Sequence, residues 1–178
     1  GCQSPSHLAR DWMTLMVNTP IPFQDVVSMF WHDHFSSSTT PLEASATKWM
    51  RTQITLWRQQ GNGNLRTMLK AMTRDYVMLR WLDGVSNSKQ APNENFAREF
   101  FELFTLGANN GYTERDIREA ARALTGFTFD YESKRFGFDP KRHDGGTKHI
   151  LGRHGRLTPP DLVARALESR PHAPVLCG

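Results

Sequence analysis

Three groups of side chains in this sequence have the types and spacing to do chemistry. The first is Trp31-His32-Asp33-His34. Imidazoles act as general bases or metal ligands near neutral pH. On a helix, residues two apart diverge by ~200°, so His32 and His34 reach one ion only where the chain is extended. Helical geometry instead packs one imidazole inside and turns the other toward a cleft, with Asp33 beside it and Trp31 as a ring for substrate. The second group is the loop His143-Asp144-Gly145-Gly146, with His149 and His154 beyond. Its glycines allow close backbone approach to a ligand, and His143 with Asp144 are candidate ligands for a divalent metal ion. A surface loop rich in Gly, His and Lys is the plain alternative.

The third group is Glu94, Arg98, Glu99 and Glu102. At ~100° per residue, these fall with Asn95 within an arc of about 140° on a helix. They form a solvated salt ladder, a buried polar tie between helices, or a catalytic pair. Two carboxylates roughly 5–9 Å apart suit glycoside cleavage, with Glu99 and Glu102 as candidates and Arg98 as a substrate contact. Arg98 turned inward would instead pair with a neighbouring loop. Ser36-Ser37-Ser38 beside His34 lacks the Gly-x-Ser-x-Gly elbow of a nucleophile. Gly61-Asn62-Gly63-Asn64 lacks the lysine and preceding strand of a phosphate loop.

These residues must be positioned by helices. Leu8, Trp12, Leu15 and Met16 predict a helix over 6–17, broken by Pro20 and Pro22. A second runs from Phe23 through Trp31 and fades near Phe35. Thr40-Pro41-Leu42-Glu43 carries an N-cap, a first-turn proline and a capping-box glutamate. It starts a helix to about Gln60 that faces Trp49, Met50, Ile54 and Trp57 inward. Asn64 caps a short helix with Leu65, Met68, Leu69 and Met72, and another spans Tyr76 to Leu82. Pro92 to Leu106 reads as a helix closed by Gly107. Thr113-Glu114-Arg115-Asp116 opens one that runs to Thr125 and is closed by Gly126. The period then becomes alternating, predicting a hairpin over 127–138 with its turn at Glu132-Ser133-Lys134. Thr158-Pro159-Pro160-Asp161 starts a final helix that ends near Pro171. The expected fold is mainly all-α, a bundle of about seven helices with one small β-hairpin. A single helical domain over 1–157 precedes a divergent helix and tail over 158–178.

Composition bounds the rest. With 178 residues, 38% hydrophobic and 22% charged, the chain has the makeup of a globular domain. Eleven Phe and five Trp supply apolar surface to bury. No apolar run approaches the ~20 residues of a bilayer span. Cys2 and Cys177 match no zinc spacing, and two separate thiols are expected. The net charge is +4, and from Lys134 onward nine Lys or Arg face four Asp or Glu. A solvated surface explains that bias, and an anionic partner is the alternative. Without an aromatic platform, nucleic acid is not the expected partner.

The run Pro92-Asn93-Glu94-Asn95-Phe96-Ala97-Arg98-Glu99-Phe100-Phe101-Glu102-Leu103-Phe104-Thr105-Leu106-Gly107 closely resembles the bacterial domain-of-unknown-function 1800 family. So do Gly111-Tyr112-Thr113-Glu114-Arg115-Asp116 and Glu119-Ala120-Ala121-Arg122-Ala123-Leu124-Thr125-Gly126. Phe30-Trp31-His32-Asp33-His34-Phe35 and Phe138-Asp139-Pro140 with His143-Asp144 match flanking segments of that family. The resemblance spans about residues 20 to 155 and implies a helical fold, a bacterial source and, often, export. Because family members are longer, the chain reads as an N-terminal portion or fragment. It implies no established reaction. Where the family has His-Asp-Asp-Gly, this chain has His143-Asp144-Gly145-Gly146.

Two function classes follow. One is a hydrolase acting on a small molecule or glycan, its water activated by His32 or His34, or by a divalent ion at His143 and Asp144, where the two stretches face each other. Its narrower form is a glycosidase using Glu99 or Glu102. The other is a non-catalytic binding or scaffold module with a basic tail. Substrate, cofactor and oligomeric state stay open.

Overall fold

In the computed structural model, residues 4–37, 46–130, 132 and 135–169 are described. The chain forms two compact units, Gly1–Trp81 and Leu82–Gly178. Among the described residues no helix is long and apolar enough to cross a membrane. The fold is mainly helical, with two small two-stranded antiparallel sheets.

The first unit holds α1 (Pro5–Asn18), α2 (Pro22–Phe35), α3 (Ala46–Gln60), α4 (Leu65–Met72) and α5 (Tyr76–Trp81). The proline pair separates α1 from α2, as the sequence predicts. Ser36 ends α2 in the left-handed region at φ 44°, its N–H donating to the carbonyls of His32 and Asp33. The expected start signal Thr40-Pro41-Leu42-Glu43 lies outside the described residues, as do Cys2 and Cys177. Met50, Ile54 and Trp57 of α3 are buried as expected, whereas Leu15 of α1 is exposed. Trp31 is buried and donates its indole N–H to the Gly61 carbonyl at 2.9 Å. A Cβ at Gly61 would stand 2.8 Å from both Trp31 Cδ1 and Val27 Cγ1, so close approach requires glycine there.

Helix α2 carries apolar residues on both its faces. Its inward face carries Asp25 and Ser28 beside Trp31 and Phe35. Asp25 is buried against Arg58, whose Nε and Nη2 donate to its two oxygens at 2.7 and 3.3 Å. The outward face carries Phe23, Val26, Met29 and Phe30, which are 67, 62, 50 and 45% exposed.

A second polar chain threads this unit. Ser37 Oγ donates to Gln53 Oε1 at 2.7 Å, and Gln53 Nε2 donates to Asp75 Oδ1 at 2.6 Å. That oxygen also accepts the Met78 N–H in the first turn of α5. Burial pushes the Asp75 carboxyl up to about 7, against the lowering effect of the hydrogen bonds it accepts.

The second unit begins with α6 (Glu94–Glu99), capped by Asn93 and continued as a π-helical segment, Phe100–Thr105. The uniform helix expected over 92–106 is therefore two helix types. The reason is a four-residue repeat: Phe96-Ala97, Phe100-Phe101 and Phe104-Thr105 are all buried. In an α-helix a repeat of four drifts by ~40° per step, which would carry Phe104 off the inner face. Widening the last turn corrects the drift. The Leu106 N–H reaches back to the Phe101 carbonyl, and Thr105 Oγ1 donates to the Phe100 carbonyl at 2.6 Å.

Next comes α7 (Glu114–Ala123), opened by the expected Thr113–Asp116 capping box. Strands β1 (Phe127–Asp130) and β2 (Arg135–Phe138) form the expected hairpin, in register Phe127↔Phe138. Part of its turn lies outside the described residues. The sequence does not predict a second hairpin, β3 (Lys148–Ile150) with β4 (Arg153–Gly155). Its strands are three residues long, and a lysine occupies one of the inward positions. The final helix, α8 (Pro159–Glu168), opens with a Thr158–Asp161 capping box.

The raised Asp75 carboxyl makes the first unit pH-dependent. Its native form holds the proton more tightly than the unfolded chain. Its contribution is therefore complete below ~pH 4 and lost as pH rises through about 7. All five tryptophans lie within residues 1–81, so tryptophan fluorescence in urea reports this unit. Between about pH 5 and about pH 8, wild type should lose stability relative to Asp75→Asn. A difference that does not change with pH would contradict this assignment.

Candidate functional site

His32, Asp33 and His34 occupy the last turn of α2. Asp33 is exposed. The His32 ring sits edge-on to Trp12 at 5.2 Å and tilted against Trp57 at 5.4 Å. The His34 ring stacks on Phe30 at 5.8 Å and meets Phe35 edge-on at 5.1 Å. The two imidazoles thus point to different neighbours, as residues two apart on a helix must. Burial lowers the His32 pKa, with the Asp33 charge opposing, which favours the neutral ring. His32 Nδ1 has no hydrogen-bond partner. Trp31, expected as a substrate contact, is instead a buried packing residue anchored on Gly61.

His143 and Asp144 belong to the second unit. Arg122, in the last turn of α7, donates through Nε and Nη2 to the two Asp144 oxygens at 2.6 and 3.2 Å. Its Nη1 donates to both oxygens of Glu119 at 2.9 Å and to the Thr147 carbonyl at 3.2 Å. This bond to Arg122 holds the Asp144 carboxyl below the usual carboxylate range. Asp144 Oδ1 also accepts the Gly146 N–H, and the Asp144 N–H donates to Thr125 Oγ1.

His143 Nδ1 lies 2.8 Å from the Thr125 carbonyl, which can only accept, so that nitrogen carries the proton. The side chain of His143 closes over Gly126, where the backbone is left-handed at φ 98°. A Cβ there would meet His143 Cβ and Phe138 Cε2 at 2.9 Å.

Lys148 is fully buried. Its ammonium donates to the carbonyls of Asp144 and Gly146, and burial lowers its pKa while the Asp144 charge opposes. Glu119 Oε2 accepts the His149 N–H at 2.9 Å, and Asp116 Oδ1 accepts the Leu151 N–H at 2.7 Å. One face of α7, from Asp116 through Glu119 to Arg122, together with Thr125 just beyond its end, therefore holds the segment from 143 to 151.

Sequence reasoning singled out the loop but not Glu119, Arg122, Thr125 or Lys148. The available signal was the i, i+3, i+6 spacing of Glu119, Arg122 and Thr125 among small alanines. As ligands for a divalent ion, Asp144 and His143 stand in contact with competing groups. A guanidinium grips both Asp144 oxygens, and the Thr125 carbonyl takes the His143 N–H. Among the described residues, no group of three or more His, Cys, Asp or Glu is placed to hold a metal ion.

Arg98 sits in the salt ladder anticipated for it. Its guanidinium lies 3.5 Å from Glu94 and from Glu102, and it makes a two-point pair with Glu114 at 2.9 and 2.7 Å. Arg98 thereby ties α6 to the first turn of α7. Glu99 is half-buried, and its pKa is raised by burial and then by the Glu102 charge, with Arg98 opposing.

The family described as "Protein of unknown function (DUF1800)" matches residues 2–177. No curated protein and no solved structure matches the chain.

The Arg122–Asp144 contact sets a pH signature of its own. Because the native Asp144 pKa is lowered, its contribution is complete above ~pH 4 and lost as pH falls through the depressed native value. Asp144→Asn should cost about 2 kcal/mol near neutrality, typical of a charge-assisted hydrogen bond. Urea denaturation followed by far-UV circular dichroism should show that cost shrinking below ~pH 4. An unchanged cost at low pH would contradict the ion pair.

Proposed function

The chain belongs to the DUF1800 family, and we propose that it is a non-catalytic binding or scaffold module that presents the outer face of α2 to an apolar helix of a partner protein. The observation that carries this reading is the exposed apolar outer face of α2. Soluble helices turn their apolar stripe to the core, but here Phe23, Val26 and Phe30 stand outward at the i, i+3, i+7 spacing by which helices recognise helices. Met29 broadens the stripe, and Ile21 and Val17 extend it toward the end of α1. No charged residue interrupts it before Asp33. A patch this apolar and this regular favours an apolar helical partner over an anionic one.

The second unit supports the same reading. The residues through which the chain resembles its family, Glu119, Arg122, Thr125, His143 and Asp144, hydrogen-bond to one another. Of the basic residues after Lys134, Arg142 donates to the Val85 and Ser86 carbonyls, Lys148 is buried, and Arg153 and Arg165 pair with Glu168. That engagement reduces what the basic tail offers an anion.

The hydrolase reading keeps one observation of its own, the half-buried His32 imidazole, its pKa lowered by burial and its Nδ1 unpartnered. One set of measurements separates the two. The module reading expects no turnover across ester, phosphate and glycoside panels. It also expects wild type to bind a hydrophobic-surface dye and Phe23→Ser/Phe30→Ser to lose most of that binding while melting within a few degrees of wild type. Turnover abolished by His32→Ala, with an unchanged melting temperature, would replace the module reading with the hydrolase.

A further inference from the structure

We infer that His149 and His154 form a two-imidazole binding site for a divalent transition-metal ion on the second hairpin. The two residues are directly opposed across β3 and β4, and both are exposed. Their ring centres are 5.6 Å apart. An imidazole nitrogen binds a zinc-like ion at ~2.0–2.1 Å and lies ~1.2 Å from its ring centre, so two rings sharing one tetrahedral ion have centres ~5.3 Å apart. The observed spacing is within a few tenths of an ångström of that value. The rings now lie stacked at 29°. Turning one nitrogen of each toward a common ion requires the rings to rotate, and both rings are exposed.

The backbone places this pair well. Leu151 and Gly152, the two loop residues, both have positive φ, 49° and 76°. This is the type I′ geometry that matches the twist of a hairpin. In such a hairpin the pair flanking the loop, Ile150↔Arg153, is hydrogen-bonded. The next pair outward, His149↔His154, is therefore the non-hydrogen-bonded kind whose side chains approach most closely.

A leucine in the left-handed region is strained and persists only where its surroundings hold it. Here Asp116 accepts the Leu151 N–H, and Arg165 donates to the Leu151 carbonyl. Glu119 fixes the His149 N–H. The hairpin is thus held at its tip and along one strand before any ion arrives, which lowers the ordering cost of binding. With two protein ligands, the remaining coordination positions belong to water. Nitrogen donors of this kind suit Ni²⁺, Cu²⁺ or Zn²⁺ rather than Mg²⁺ or Ca²⁺. The site is independent of the α2 surface.

Calorimetric titration of the full chain with Ni²⁺ tests this. Loss of outer-shell support alone typically weakens metal binding ~10–100-fold, so loss of a ligand should do at least as much. Wild type should bind one Ni²⁺, with His149→Ala and His154→Ala each weakening it by at least ~10-fold. Because both rings are exposed, each variant should keep the wild-type circular dichroism spectrum. As a second readout, Zn²⁺ added to wild type should shift the imidazole resonances of His149 and His154. Wild-type affinity in either variant, no Ni²⁺ binding by wild type, or Zn²⁺ shifts confined to other histidines would overturn the proposal.

Discussion

A guanidinium offers five N–H donors in one rigid plane, and Arg122 directs them at two carboxylates and a carbonyl drawn from two segments of chain. Glu119 comes from its own helix, while Asp144 and the Thr147 carbonyl come from a loop 22 to 25 residues on. Lys148 needs this arrangement. A fully buried ammonium is tolerated only when paired and hydrogen-bonded, and its partners are carbonyls of the same loop. The second hairpin needs it too, because Glu119 and Asp116 reach forward from α7 to hold its backbone. These bonds hold the His143-Asp144 loop against α7.

The same economy of polar groups recurs in the first unit with the opposite outcome at the surface. Asp25 and Ser28 occupy the inward face of α2, where Arg58 neutralises the carboxylate. Trp31 and Phe35 share that inward face, while Phe23, Val26, Met29 and Phe30 stand on the outward one. In the second unit, α6 and the π-helical segment together keep three successive pairs of residues pointed inward, while Glu94, Arg98 and Glu102 stay on the rim.

The helices were largely legible because their signals are local. Thr113 with Asp116, Thr158 with Asp161, the proline pair at 20 and 22, and the glycines at 107 and 126 each act within a few residues. The β1–β2 hairpin showed through its alternating phenylalanines. The second hairpin did not, since Lys148 sits where alternation calls for an apolar residue, and only its carbonyl partners explain that. The π segment was hidden in a four-residue repeat that resembles ordinary helical spacing. Of the candidate sites, the sequence located the imidazoles and the His-Asp loop but not their partners. Arg122 and Asp144 are 22 residues apart, and nothing local to either announces the other.

Arg122 and Asp144 act as one structural unit on which the loop and the second hairpin depend. A double-mutant cycle with Arg122→Ala, Asp144→Asn and the combination, measured by urea denaturation near neutral pH, addresses this directly. A coupling energy of ~1 kcal/mol or more is expected, so the double variant is little worse than the more damaging single one. Strictly additive effects would contradict it, leaving the arginine and the His-Asp loop free for another role.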